Sequence, residues 1–458
     1  MKIECFKAYD IRGQIPNELN TDIAYRVGNA AVEFLDAKHI VIGRDIRLTS
    51  PEFADAVAAG VCDAGADVLD IGLGGTEMVY FATGALEADG GIMVTASHNP
   101  ADYNGLKVVR EEARPISGDT GLEDIRRLAE RDERRRAQAK GERKPVDIAD
   151  RYVSRLLSFV DRDRLERIRI VTNAGNGGAG LTLDRLEPHL PFEFVKMYHE
   201  ADGHFPNGVP NPMLEENRQP TIDAIAEAGA DFGIAWDGDF DRCFFFDGNG
   251  RFIEGYYIVG LLAQSQLDAD KGEGNAPEER PAIVYDPRLT WSTIEIVREH
   301  GGRPVQSKSG HSFMKETMRK ENGLYGGEMS AHHYFRDFFY ADSGMIPWLL
   351  VAELVCRTGT PLAELVDDRM AKFPASGEIN RKVADGPAAI RAIRDRYAPD
   401  ANRIDETDGV SIEFDDWRFN LRSSNTEPVI RLNVESRGDK ALMRDKTREI
   451  LALLDDMG

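Results

Sequence analysis

The chain has 458 residues, of which 42% are hydrophobic and 30% charged, and a formal net charge of −22 at pH 7. That length is too great for one core and predicts about three domains. The acidic balance repels nucleic acid and anionic membrane, and the apolar run at 345–352 is far too short to span a bilayer. The four cysteines (Cys5, Cys62, Cys243, Cys356) are widely separated, which argues against a disulfide framework or a zinc site. With no secretory leader in the opening residues MKIECFKAYD, a reducing cytoplasm is the expected compartment.

In chain order, Ile3-Glu4-Cys5-Phe6 reads as a strand, and the turn ending in Arg12-Gly13 presents Tyr9 and Arg12. Apolar spacing predicts a helix over 20–36, a strand over 39–43, a helix over 52–64 and a strand ending at Gly72. The step from helix through Ala64-Gly65-Ala66-Asp67 into a strand returns at Ala228-Gly229-Ala230-Asp231 and, more loosely, at 292–306. Glycine just past a helix is its usual stop. Repeated strand–helix–strand units imply parallel or mixed sheets covered by helices, in duplicated domains rather than a solenoid.

Residues 130–145 are almost all charged or small and read as a solvated helix end and linker. A new unit begins near Ala149, with a strand at 168–172 and the glycine-rich turn Asn173-Ala174-Gly175-Asn176-Gly177-Gly178-Ala179-Gly180, which is not a convincing dinucleotide fingerprint. Residues 267–280 read as a loop, and helices are expected at 345–357 and 361–372. From about 375 the pattern alternates as antiparallel strands do, at 410–414, 417–421 and 429–434, before a last helix at 439–455. The fold class predicted is α/β: three tandem, similar, mixed-sheet domains at 1–148, 149–253 and 254–369, and a smaller α+β domain at 370–458.

Four stretches carry chemistry. Thr95-Ala96-Ser97-His98-Asn99-Pro100 follows a buried strand and precedes the turn cluster Asp102-Tyr103-Asn104-Gly105 and Lys107. It places an exposed serine beside a histidine, although the same residues would also make an ordinary helix cap. Asp237-Gly238-Asp239-Phe240-Asp241-Arg242 sets three carboxylates at alternate positions, which repel one another without a hard cation and so favour Mg²⁺. A calcium loop fails on spacing, with Arg242 where glycine belongs and Gly248 where the bidentate glutamate belongs. Gly327-Glu328-Met329-Ser330-Ala331-His332 offers an acid, a hydroxyl and an imidazole to sugar hydroxyls. Arg422-Ser423-Ser424-Asn425-Thr426-Glu427-Pro428, with Arg431, is suited to hold a phosphate by charge-assisted bonds.

Together these stretches resemble the phosphoserine, metal, sugar and phosphate loops of the α-D-phosphohexomutases, in the family's order and across essentially the whole chain. The resemblance is nearest to the family's bacterial mannose-phosphate branch. It implies a central cleft between the domains and reversible interconversion of mannose 6-phosphate and mannose 1-phosphate, with glucose and glucosamine phosphates as alternative substrates. Ser97 would be the phosphorylated serine, completing a Mg²⁺ shell of Asp237, Asp239 and Asp241, and a sugar 1,6-bisphosphate would be the intermediate and activator. Arg12, Lys107, Arg242 and His311 match positions around the transferred group, with Lys107 or His311 as the proton-transfer partner. Tyr9, Arg288, Glu328, Ser330 and His332 match substrate positions, with Arg288 standing where relatives can carry lysine. Arg422, Ser424, Asn425, Thr426 and Arg431 match the clamp for the phosphate that stays in place. Partners would be hexose phosphates only, with no nucleic acid or membrane, and the chain a monomer or homodimer. Two competing readings are a phosphatase with Asp237 as nucleophile and a sugar-phosphate sensor without turnover. Asp241 stands where such phosphatases want threonine or valine, and Ser97, the aspartates and both clamp arginines leave no reactive group missing for a sensor.

Overall fold

Asn20 opens the helix Thr21–Leu35 by accepting the Ile23 amide on its side-chain oxygen at 3.1 Å. This helix lies against Ser50–Asp63, and glycines let the two backbones touch. A Cβ on Gly60 would sit 2.0 Å from the Tyr25 carbonyl oxygen, and one on Gly28 2.4 Å from that of Val57. The computed structural model describes residues 2–270, 279–423 and 429–457. They form two units, Met1–Phe252 with His332–Gly359, and Ile253–Ala331 with Thr360–Gly458.

In the first unit, one mixed sheet runs in the order Ile11–Gln14, Tyr103–Arg110, Gly90–Val94, His39–Arg44, Asp67–Leu73, Arg143–Pro145. The first three strands pair antiparallel and the rest parallel. The antiparallel register sets Lys107 opposite Met93, and the parallel one sets Arg44 opposite Val94. The chain leaving His39–Arg44 therefore emerges beside the serine loop. A second sheet runs Cys243–Asp247, Phe232–Trp236, Arg169–Asn173, Glu193–Met197. Its parallel register sets Asn173 opposite Ala235, so the glycine-rich turn emerges beside the aspartate loop. The hairpin His333–Phe335 with Ala341–Asp342 and the helix Ile346–Thr358 also belong here. Trp348 of that helix meets Phe192 and Phe194 edge-on at 6.4 and 5.9 Å.

The second unit has a parallel core, with Ala282–Tyr285 between Arg303–Gln306 and Tyr325–Gly327. It also has an antiparallel sheet in the order Ile379–Arg381, Ile430–Ser436, Trp417–Ser423, Val410–Glu413, Arg403–Asp405, packed with Gly386–Tyr397 and Lys440–Asp455. The architecture is thus the expected one of tandem mixed-sheet α/β regions followed by a smaller α+β region.

The repeated Ala-Gly-Ala-Asp step has a common structural use. Gly65 and Gly229 adopt φ of 98° and 58°, the left-handed helix stop that favours glycine. The aspartate two residues on then accepts a main-chain amide, that of Glu142 at Asp67 (2.8 Å) and that of Arg169 at Asp231 (2.7 Å).

Several expectations differ from the structure. Residues 3–6 form no strand beyond a single bridge at Phe6, and Ile11–Gln14 is the strand instead. Tyr103, Asn104 and Gly105 open a strand rather than preventing one, because the Asn104 amide is occupied by Thr49 and Ser50 at 3.0 Å each. No helix follows Ser97, which removes the helix-cap reading. The segment from 267 to 269 ends the helix Gly255–Ala269, buried on most sides and so without the polar stripe that betrays a helix in sequence. The linker stretch 130–145 closes on the strand Arg143–Pro145, which extends the first sheet.

Gly60→Ala should lower the stability of the first unit by about 1–3 kcal/mol, since the helices must part to admit the methyl group, which outweighs the propensity gain of about 1 kcal/mol. Denaturant unfolding checks this; an unchanged or raised midpoint would contradict the close approach.

Candidate active site

The strand Gly90–Val94 ends at Thr95, whose hydroxyl accepts the Ser97 amide at 2.9 Å. Ser97 itself sits at φ 50°, a left-handed conformation that a non-glycine residue keeps only when its surroundings enforce it. It is 4% exposed, so the serine expected at the surface is buried. Its Oγ donates to Asp237 Oδ2 at 2.9 Å and lies 3.0 Å from His98 Nδ1. Arg242 Nη2 donates to Ser97 Oγ at 3.4 Å and also contacts His98 Nδ1. Burial and the neighbouring Arg242 hold the His98 imidazole well below its ordinary pKa, hence neutral.

The aspartate loop follows the buried strand Phe232–Trp236. Asp237, Asp239 and Asp241 are all buried and offer ligand atoms within 4.8 Å of one another. Arg242 Nε reaches Asp237 Oδ2 at 2.8 Å, and Lys107 Nζ reaches Asp239 Oδ2 at 2.7 Å and Asp241 Oδ2 at 2.5 Å. Thr76, opening the helix Thr76–Ala85, donates its hydroxyl to Asp239 Oδ2 at 2.5 Å. Burial alone would lower the Lys107 pKa, but Asp239 and Asp241 raise it well above the ordinary value. Burial would likewise raise Asp239, yet Lys107 holds it low, while burial and the Asp239 charge push Asp241 up to about 6.

Asp239 Oδ1 and Asp241 Oδ1 are buried without a hydrogen-bond partner. Three clustered carboxylates, two of them with an unused buried oxygen, form a hard, all-oxygen donor set, and so fit Mg²⁺. The turn around this loop is made possible by glycines at close approach. A Cβ on Gly238 would stand 2.7 Å from the Ser97 carbonyl oxygen, and one on Gly177 2.9 Å from that of Gly238. The glycine-rich turn is therefore a platform for the aspartate loop rather than a nucleotide cradle.

Arg12 donates to Asn99 Oδ1 at 2.6 Å and pairs with Asp10 at 2.5 Å, tying the first strand to the serine loop, with Tyr9 half-buried in the bend before it. His332 also stands in this unit, in a backbone bridge with Arg242 and with Nδ1 2.9 Å from Asp342 Oδ2, close enough to Asp241 to share a ligand set with it. It is thus grouped with the aspartates, while Glu328 and Ser330 belong to the other unit.

There, Arg288 forks onto Asp286 (Nε to Oδ1 at 2.9 Å, Nη2 to Oδ2 at 2.8 Å) and reaches Ser330 Oγ at 3.3 Å and Glu328 Oε1 at 3.5 Å. Glu328 Oε1 accepts the Gly310 amide at 2.8 Å, which brings His311 to the same place at the start of the helix His311–Lys320. Glu378 gathers three arginines, Arg288 at 3.4 Å, Arg422 at 3.2 Å and Arg431 at 3.3 Å. Burial would raise the Glu378 pKa, but the arginines lower it. Three guanidiniums converging on one point form a donor set suited to an anion. Ser424, Asn425 and Thr426 lie outside the described residues.

Sequence reasoning overlooked Thr76 and Glu378, which lie far in sequence from the motifs they serve, and Asp286, which stands two residues before the Arg288 it holds. It also overlooked Glu77 beside Thr76. That carboxylate accepts the amides of Gly344 at 2.5 Å and Met345 at 3.2 Å and the Ser343 hydroxyl at 3.0 Å, and it contacts the Tyr152 hydroxyl. Gly344 in turn packs against the aspartate loop, since a Cβ there would be 2.4 Å from the Phe240 carbonyl oxygen.

A buried serine among carboxylates and guanidiniums, on tandem α/β regions followed by an arginine-rich α+β region, defines a multidomain enzyme of the sugar-phosphate mutase class. Family models agree along the chain: phosphoglucomutase/phosphomannomutase α/β/α domain I matches residues 4–136, domain II 150–250, domain III 254–373 and the C-terminal domain 378–452. The chain is 58% identical over 454 residues to a protein of Xanthomonas campestris pv. campestris named "Phosphohexose mutases", covering 99% of this chain and 100% of the other. It is also 58% identical over 461 residues to an Escherichia coli phosphomannomutase, covering 99% of each. A crystal structure of a phosphoglucomutase/phosphomannomutase family protein from Burkholderia thailandensis is similar at a TM-score of 0.85 and 33% identity, over 98% of this chain and 97% of that one. The chain belongs to the phosphoglucomutase/phosphomannomutase family and is an isomerase of the phosphohexomutase type. No helix among the described residues is long and apolar enough to cross a membrane.

Burial pushes the Glu77 carboxyl from 4.5 up to about 8. A pKa raised on folding gives stability that is full below about 4.5 and is lost as pH climbs towards 8, at up to about 1.4 kcal/mol per pH unit. Glu77→Gln mimics the protonated group and should flatten that decline in denaturant titrations between about pH 5 and pH 8. Parallel pH dependence in the two proteins would refute it.

Proposed function

We propose that this protein is a phosphomannomutase, interconverting mannose 6-phosphate and mannose 1-phosphate and accepting glucose phosphates as a secondary substrate. The observation that carries the reading is Ser97 Oγ, held 2.9 Å from the first of three clustered aspartates with Arg242 beside it. The names of the Xanthomonas and Escherichia relatives support the substrate class.

In the proposed reaction Ser97 carries the phosphoryl group. Its P–Oγ bond breaks as a bond forms to the free hydroxyl of the bound hexose phosphate, giving a 1,6-bisphosphate. The bisphosphate reorients and returns its other phosphoryl group to Ser97. Asp237, Asp239 and Asp241 would hold Mg²⁺, which supplies neutralisation of charge on the transferring oxygens when bound. Arg242 and Arg12 add fixed positive charge beside Ser97. In the first half-reaction the substrate hydroxyl gives up a proton, to Lys107 or His311; in the second Ser97 Oγ loses its proton as the leaving sugar oxygen gains one. Lys107 rests on Asp239 and Asp241, where it neutralises their charge. Glu328, Ser330 and Arg288 would bind the sugar hydroxyls, with Tyr9 and His332 as further substrate contacts. Arg422 and Arg431, with Ser424, Asn425 and Thr426, would hold the phosphate that does not move. The four unpaired thiols support a reducing cytoplasm, and the chemistry needs neither nucleic acid nor membrane and can run in a monomer or a homodimer.

Ser97→Ala should cut turnover by several orders of magnitude, because no nucleophile remains, while hexose phosphate affinity falls far less. Mg²⁺ affinity should weaken as well. Steady-state rates beside a melting curve check this, and near-normal turnover would end the phosphoserine reading.

A coupled assay should rank mannose 1-phosphate first, ahead of glucose 1-phosphate and glucosamine 1-phosphate, and mass mapping after incubation with a hexose 1,6-bisphosphate should place phosphate on Ser97. Preference for the glucosamine ester would overturn the substrate, and label on Asp237 the mechanism.

A further inference from the structure

We propose that Arg47 is a positioning residue for phosphoryl transfer, its guanidinium holding the main chain of the serine loop so that Ser97 Oγ faces Asp237. The inference rests on the reading of Ser97 as the phosphate carrier. Arg47 is 2% exposed and lies just past the strand His39–Arg44, where the parallel register with Gly90–Val94 brings it beside the loop. One terminal nitrogen donates to the carbonyls of Pro100 at 2.7 Å and Tyr103 at 3.0 Å, the other to those of Ser97 at 3.0 Å and Asn99 at 2.6 Å. A single side chain thus satisfies four inward-facing carbonyls of the loop that bears the nucleophile.

Arg47 is itself held. Asp45 Oδ2 lies 3.4 Å from its Nε, and Asp45 Oδ1 accepts the Arg47 amide at 3.0 Å and the Ser50 hydroxyl at 2.5 Å. The Phe205 ring covers the guanidinium, with its centroid 5.4 Å from Cζ. The Ser97 carbonyl that Arg47 grips also faces Gly238 of the aspartate loop, so its place sets the register of nucleophile against carboxylates. The left-handed φ of Ser97 is the conformation such a grip maintains. Lysine cannot substitute. Its ammonium is a single point on a flexible stem with three donors, whereas the planar fork meets four acceptors at once.

The test compares wild type, Arg47→Lys and Arg47→Ala by kcat and KM for mannose 1-phosphate, labelling of Ser97 by a ³²P-labelled hexose 1,6-bisphosphate, and melting curves. Arg47→Lys should remain folded, label more slowly and lose roughly ten- to a hundredfold in kcat, with KM within about threefold, as expected when a reacting atom is misplaced by about an ångström. Arg47→Ala should lose more and regain part of its kcat on addition of guanidinium at concentrations well below denaturing. Arg47→Lys with a kcat within twofold of wild type would overturn the proposal. So would a loss in Arg47→Ala that merely follows the folded fraction and does not respond to guanidinium. Wild-type protein that takes no label on Ser97 would overturn the phosphoserine reading and this proposal with it. A labelled wild type with an unimpaired Arg47→Lys would overturn this proposal alone.

Discussion

Buried negative charge is the constraint on which the first unit depends. Asp237, Asp239 and Asp241 are no more than 2% exposed, and carboxylates removed from water at such close range are tolerated only when compensated. The fold supplies the compensation from three directions. Lys107 comes from the strand beside the serine loop, Arg242 from the aspartate loop itself, and the Thr76 hydroxyl from a helix N-terminus. Glycines at 75, 177, 238 and 344 let the surrounding backbones close in, since a side chain at any of them would strike the loop or the serine segment. The charge balance is local: a chain of net charge −22 gathers its cations where its carboxylates are buried.

The second unit inverts this arrangement. Arg288, Arg422 and Arg431 converge on Glu378, with Asp286 held in the fork of Arg288. One centre is rich in carboxylates and wants a cation, and the other is rich in guanidiniums and wants an anion. Arginine at 288 belongs to this scheme. Its fork binds Asp286 with two nitrogens while reaching Ser330 and Glu378, which a lysine ammonium could not do.

Much of this was legible in the residues themselves. Period-3.6 and period-2 spacing placed the helices Thr21–Leu35 and Lys440–Asp455 and the strands Trp417–Ser423 and Ile430–Ser436 to within a residue or two, because each helix has one apolar and one wet face and each strand alternates apolar with polar residues, although both strands are buried on both faces. Helices without that contrast, such as Thr76–Ala85 and Gly255–Ala269, left no such trace. The aspartate loop was readable because its charges are adjacent in the chain and repel one another whatever the fold around them.

What only the tertiary structure decided is which distant groups meet these local clusters. Lys107 against Asp239, Thr76 against the same carboxylate, Glu378 among three arginines, and Arg47 under the serine loop all join positions separated by 44 to 163 residues. It also decided that Ser97 is buried rather than exposed, and that the glycine-rich turn at 173–180 supports the aspartate loop. The reason is physical. Chain-local properties such as periodicity, turn chemistry and like-charge repulsion are written in neighbouring residues, whereas compensation of a buried charge is set by strand order and register, which place residues side by side without regard to their separation in sequence.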